Sequence, residues 1–200
     1  RPVGRAPVFV MTDPFASGLP RLSTPRLALR QPTESDLPAF RRVFGSAEDL
    51  KYWSHGPLAD AAAAGRYLES IRSGVEERRL FQWAVAVADT DEMIGTCTLT
   101  SWDRDNRHAE VGFILARAFW GRGYAREAVH RVLSFGFEAM DLHRVEADVH
   151  PDNAASLRLL ESVGFVREGL LRERWCTFGV WEDSVILGLL ARDLRVQGKP

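Results

Sequence analysis

The sequence predicts an α/β or α+β domain, a mixed sheet of about seven strands covered by about four helices. Three observations lead there. Short stretches that alternate apolar and polar residues, or are wholly apolar, recur along the chain and have the period of strands. Other stretches carry apolar residues at spacings of three and four, the period of helices. The two kinds are interleaved in the order β-α-α-β-β-β-α-β-α-β-β, which suits a sheet with helices packed on it.

Arg26 to Gln31 sets Leu27 and Leu29 two apart between Arg26 and Arg30 and reads as the first strand. Thr33-Glu34-Ser35-Asp36 is a helix-start signal ahead of Leu37 to Phe44. Ala59 to Ile71 is alanine-rich and helical, with Gly74 marking its end. Leu80 to Ala88 and Met93 to Thr100 form a hairpin around Asp89-Thr90-Asp91-Glu92. His108 to Ala116 is the next strand. The clearest helix then places Val129, Val132, Leu133, Gly136, Phe137 and Met140 on one face. Arg126, Glu127, His130, Arg131 and Glu138 fill the other, with Glu127 and Arg131 spaced as an i,i+4 ion pair. Val145 to Val149 is a strand that Pro151 ends. Asn153 to Val163 is a short helix stopped by Gly164. Phe165 to Arg174 and Trp181 to Leu190 are the last strands.

Two hundred residues suit one domain of ordinary size. Residues 1–20 are rich in Pro, Gly and Arg and read as a mobile arm, with a single domain over 21–195. The 26 basic and 27 acidic residues nearly cancel, which argues against a general nucleic-acid binder. No apolar run approaches the roughly 18 residues of a membrane span, and Val8 to Met11 is too short for a secretory signal. Cys97 and Cys176 are far apart and no CxxC occurs. These features lead us to expect a reducing cytoplasmic compartment, no disulfide and no metal.

The chemistry concentrates at Trp120-Gly121-Arg122-Gly123-Tyr124-Ala125, where a strand gives way to the long helix. The first amides of a helix have no intrahelical acceptor and sit at the positive end of its dipole, so they form an anion site. Gly123 permits positive φ and close approach of an anion to the backbone. Arg122 and Arg126 add charge at the rim. A plain strand-to-helix turn would use the same glycines. The motif is not a phosphate-binding Gly-Lys-Ser/Thr loop, and it fits a dinucleotide fingerprint only loosely.

Taken in order, Glu110-Val111-Gly112-Phe113-Ile114-Leu115, then Trp120 through Ala128, then Asn153-Ala154-Ala155-Ser156 and Leu160-Glu161-Ser162-Val163-Gly164-Phe165 resemble the GNAT superfamily of N-acetyltransferases. The opening Leu22 to Arg30 and the closing Gly179 to Asp183 resemble its ribosomal-protein N-terminal (alanine/serine) acetyltransferase-like branch. The likeness runs from about residue 22 to 190. It implies a GNAT fold, with a mostly antiparallel sheet splayed in the middle, and acetyl-CoA or a related acyl-CoA as co-substrate. It also implies that Phe113, Ile114 and Leu115 bind the pantetheine arm through the backbone. The amides of Arg122, Gly123, Tyr124 and Ala125, with Arg126 beside them, would hold the pyrophosphate. Trp120 stands where the general pattern has Gln or Arg, as is usual in this branch. Leu160 stands where many members have a Tyr that protonates the leaving thiolate.

Acyl transfer to an amine needs no covalent enzyme intermediate; positioning and oxyanion stabilisation supply much of the rate. Glu110, at the start of the strand that would present the thioester, is the candidate base, and the resemblance points to the same position. Its other reading is a solvated carboxylate paired with Arg107 or Arg131. Ser156 is the candidate for protonating the CoA sulfur in place of the missing Tyr, or else an ordinary first-turn serine. Asn153 suits a helix N-cap and can also contact pantetheine or the acyl carbonyl. Trp83, Phe81 and Phe137 are expected in the core. Tyr52, Trp53 and His55 lie on a loop that the resemblance places beside the acceptor site, and His150 ends a strand.

The sequence therefore predicts an acyl-CoA-dependent N-acetyltransferase acting on a primary amine, foremost a protein N-terminal α-amine. An antibiotic or small-metabolite acetyltransferase is the alternative, and an acyl-CoA-binding module without catalysis is the reading from another class. Partners are the acyl-CoA and the amine, with no nucleic acid or membrane, in a monomer or homodimer.

Overall fold

The computed structural model describes residues 13–53 and 56–195. Among these residues the strands are β1 (Leu22–Ser23), β2 (Leu27–Arg30), β3 (Leu80–Val87), β4 (Met93–Asp103), β5 (His108–Leu115), β6 (Arg144–Val149), β7 (Val166–Thr177) and β8 (Val180–Leu190). The α-helices are α1 (Leu37–Phe44), α2 (Ala61–Glu76), α3 (Tyr124–Ala139) and α4 (Ala154–Val163). The order matches the sequence prediction, with β1 as an eighth strand too short to show a period.

One sheet holds all eight strands in the order β1-β2-β3-β4-β5-β6-β8-β7. Every neighbouring pair is antiparallel except β5 and β6. That parallel pairing covers only His108–Arg144, Ala109–Val145 and Glu110–Glu146, after which the two strands part. Helices α1 and α2 pack Phe40, Phe44, Leu68 and Ile71 against Ala84, Met93 and Ile114. The other face of the sheet, with Trp83, Leu99 and Val111, is covered by Val129, Val132 and Leu133 of α3 and Leu157 and Leu160 of α4. No described helix is long and apolar enough to cross a membrane.

Three sequence expectations are corrected. Gly74 does not end α2, which runs on to Glu76. A Cβ at Gly74 would lie 2.7 Å from Leu80 Cβ, so this glycine lets helix and strand approach closely. Glu127 does not face solvent beside Arg131; it is 7 % exposed and faces the chain entering β2. The mobile arm expected over 1–20 does not hold for residues 13–20. Its first twelve residues lie outside the described residues, but 13–20 are packed onto the sheet. Phe15 is 1 % exposed and stacks on Phe81 with ring centroids 3.9 Å apart. Asp13 meets Arg78 at 2.6 Å, and the Trp83 indole donates to the Pro20 carbonyl at 2.8 Å. Composition alone misled here, because one buried aromatic outweighs several turn-forming neighbours.

Deleting a buried aromatic ring costs about 3–5 kcal/mol. Phe15→Ala is therefore expected to lower Tm by about 10 °C. Scanning calorimetry checks this, and an unchanged Tm would return residues 13–20 to the periphery.

Candidate active site

Where β5 and β6 part, a cavity of about 920 Å³ opens between them, a size that suits a large small-molecule ligand. Residues 111–115 of β5 line one wall, and residues 147–150, at the end of β6 and just past it, line the other. Residues 111–115 of β5 are paired to β4 on one edge only. Their other edge therefore offers unpaired backbone groups to the cleft, and such groups need a partner. Phe113, Ile114 and Leu115, which the resemblance led us to expect at the pantetheine arm, all line this cleft.

At one end of the cleft stands the N-terminus of α3. Its N-cap is Gly123 at φ 78°, which supplies no capping side chain. The first intrahelical bond is from the Glu127 amide to the Gly123 carbonyl at 3.1 Å. The amides of Tyr124, Ala125 and Arg126 are therefore left for an anion. Gly121 also has positive φ, 71°, and open space where a Cβ would stand, whereas a Cβ at Gly123 would lie 3.4 Å from the Arg26 guanidinium. Gly123, Tyr124, Ala125 and Arg126 line the cavity. Arg122 does not; its guanidinium lies over the Phe119 ring, 5.8 Å from the centroid. Trp120 donates its indole N–H to the Leu115 carbonyl at 2.7 Å, tying the glycine loop to the end of β5.

Asn153 and Ser156 enter the cavity from the start of α4. Asn153 Oδ1 accepts from the Ser156 amide at 3.2 Å, so the predicted N-cap is present. Leu160, in the position where the resemblance led us to look for a Tyr, is fully buried. Glu110 is not part of the cavity lining. It occupies the last paired position before the split, opposite Glu146, and is partly buried. The pairing with Arg107 considered for it is not formed, because Arg107 binds Asp141 at 2.6 Å. Glu146 is held instead by Arg144 at 2.8 Å.

The opposite end of the cleft is polar and aromatic. The Tyr52 hydroxyl donates to the Asp152 carbonyl at 3.2 Å, and its ring lies 4.9 Å from the His150 ring. This contact joins the loop after α1 to the loop just past β6. Trp53 lines the cavity while also packing on Phe44 at 5.9 Å; His55 lies outside the described residues. Asp148 on β6 accepts from Ser184 Oγ, from Arg174 Nε at 2.8 Å and from the Trp175 indole at 3.0 Å. Sequence reasoning missed Asp148, although its two-residue spacing from Glu146 put both on one face of the strand. Cys97 is not in the lining, and burial pushes its thiol up to about 12, so it is an inert core residue.

A model of the acetyltransferase (GNAT) domain matches residues 26–166. This chain belongs to the GNAT acetyltransferase family. It is an acyl-CoA-dependent N-acetyltransferase. The uncharacterized N-acetyltransferase p20 of Bacillus licheniformis is 36% identical over 172 residues, spanning 86% of this chain and 97% of that protein. The spermidine N(1)-acetyltransferase of Vibrio cholerae is 27% identical over 79% of this chain and 89% of its own length. In fold the chain resembles Mycobacterium smegmatis RimJ, solved with CoA-disulfide, at a TM-score of 0.77 and 24% identity, covering 84% of this chain and 83% of that one. GNAT enzymes use acetyl-CoA, and this cleft suits such a ligand in volume, in its open strand edge and in the free amides of α3.

A ligand that binds only the folded state raises its stability by about 2.7 kcal/mol at a hundred times its Kd. Saturating acetyl-CoA is expected to raise Tm measurably in the native enzyme. Gly123→Val forces a β-branched residue to φ 78° and sets its side chain against the Arg26 guanidinium, so the loop that presents the helix amides must distort. It should abolish the shift while circular dichroism stays native. An equal shift in both proteins would remove the pyrophosphate from this end of the cleft.

Proposed function

We propose that this GNAT enzyme transfers the acetyl group of acetyl-CoA to the α-amine of a protein or peptide amino terminus, by direct attack in a ternary complex. The observation that carries the reading is the polarity of the cleft: uncapped helix amides at one end, and a broad aromatic and acidic rim at the other. Trp175, Glu182 and Asp183 line that far end, and Phe178 and Trp181 stand exposed just beyond it. Such a rim offers a peptide chain more surface than a small amine can use. The carboxylates draw in the ammonium group.

The α3 amides and Arg126 hold the pyrophosphate, while the free edge of β5 aligns the pantetheine arm and Asn153 steadies it. Acetyl-CoA supplies the activated acyl group. Glu110, next to Val111 and the last residue of β5 paired with β6, takes the ammonium proton through water. Ser156 donates to the departing sulfur. An α-amine with a pKa of about 7.7–8.0 costs about 1 kcal/mol to deprotonate at pH 7, whereas a lysine near 10.4 costs roughly 4.6 kcal/mol. A base acting through water suits the former.

The carboxylates of Asp148, Asp152, Glu182 and Asp183 around the same mouth favour a second reading, a small polycationic amine, and one relative is named for spermidine. Release of free thiol from acetyl-CoA across peptides, polyamines and aminoglycosides separates the two, and mass spectrometry locates the acyl group. Faster turnover of polyamines, or acylation mainly at internal lysines, would displace the peptide α-amine.

The two proposed catalytic groups are expected to differ in pH behaviour. Glu110→Gln should lower kcat roughly 100-fold at neutral pH, with recovery at high pH where the amine deprotonates unaided. Ser156→Ala should lower kcat across the whole pH range. Titration calorimetry with acetyl-CoA should give near-native affinity for both. Native kcat in both variants at pH 7 would leave positioning alone as the source of rate.

A further inference from the structure

Thr24 and Arg26 stand at the entry to β2, and neither lines the cleft. Both nevertheless reach the first turn of α3. The Thr24 hydroxyl donates to Glu127 Oε1 at 2.6 Å, and the Arg26 amide donates to the same oxygen at 3.2 Å. Arg26 Nε donates to Glu127 Oε2 at 2.6 Å. The guanidinium then extends past the carboxylate. Its Nη1 donates to the Arg122 carbonyl at 3.0 Å, and it lies 4.7 Å from the centroid of the Tyr124 ring.

A pin between β2 and α3 would need only the carboxylate. The bond to the Arg122 carbonyl does something different. The peptide joining Arg122 to Gly123 is planar and trans, so its N–H points opposite to its C=O. Holding the carbonyl toward Arg26 therefore turns the Gly123 N–H away from it. The loop cannot hold this orientation by itself. Gly121 and Gly123 bracket it with φ of 71° and 78°, glycine has the widest conformational choice of any residue, and α3 carries no capping side chain. Arg26 is also 48 % exposed at its side chain, more than a packing role alone requires.

We infer that Arg26, anchored by Thr24 and the buried Glu127, is a positioning residue that presets the amides of the glycine loop for the pyrophosphate of acyl-CoA. This rests on the cofactor placement proposed above. The preset amides meet only donors that carry a pyrophosphate, which separates this role from a general stiffening of the fold.

The test compares acetyl-CoA with S-acetyl-pantetheine, which has the thioester and lacks the pyrophosphate. Losing one charge-assisted hydrogen bond is a tenfold effect or more. Arg26→Ala should raise KM and the calorimetric Kd for acetyl-CoA roughly tenfold with kcat little changed, and alter kcat/KM for S-acetyl-pantetheine less than about twofold. Arg26→Lys, which can reach Glu127 or Arg122 but lacks the fork to bridge both, should fall between. Its retained ion pair keeps the comparison sound if the alanine variant folds poorly. Unchanged affinity for acetyl-CoA in Arg26→Ala, or an equal loss with both donors, overturns the inference. Native enzyme that binds S-acetyl-pantetheine as tightly as acetyl-CoA overturns the pyrophosphate placement beneath it.

Discussion

Strands β5 and β6 share three residue pairs and then separate. Parallel strands cannot be joined by a tight turn, so the chain between them must make a crossover. Here that crossover is the glycine loop and α3. That crossover delivers a helix N-terminus to the gap left where the two strands part, beside the exposed edge of β5. Had β5 and β6 stayed paired along their whole length, Val111 to Leu115 would have no free backbone groups. The cleft between the two strands would also not exist.

The near-neutral net charge conceals local groupings of charge along the cleft, although Glu48, Asp49, Lys51 and Arg117 also line it with both signs. Free amides and Arg126 gather at one end of the cleft, while Asp148, Asp152, Glu182 and Asp183 gather at the other. The acidic end is built from residues far apart in the chain. Asp148 ties β6 to the β7–β8 hairpin through Ser184, Arg174 and Trp175. Electrostatic character is thus fixed by strand order, since β6 and β7 both neighbour β8 although their sequences never touch.

What the sequence disclosed follows the range of the interactions involved. Strands and helices came through their periods, and the uncapped start of α3 came through local facts: two glycines, a strand before and a helix after. Asn153 was readable as a cap because its acceptor lies three residues on. Long-range facts were not readable from periodicity. The splay depends on the register of β5 against β6 and came only from family resemblance. Glu127 has the spacing of a solvent-facing residue, and nothing local reveals that Thr24 and Arg26 cover it. Gly74 looked like a terminator because the close approach of Leu80 is a tertiary contact. Phe15 was hidden among Pro and Gly neighbours.

A sheet that is not closed into a barrel has two unpaired borders, and each can recruit stray chains. Here one border is β1, only two residues long. The other is β7, twelve residues long and exposed along nearly its whole length. It bears Val166, Leu170, Leu171 and Trp175 in the open, which would invite another strand. Interleaved with them are Arg167, Glu168, Arg172, Glu173 and Arg174, and its pairing to β8 is irregular at two places. Charge and distorted register on such a border make a regular ladder with a foreign strand costly. The longest of the described strands thus carries its own protection against aggregation.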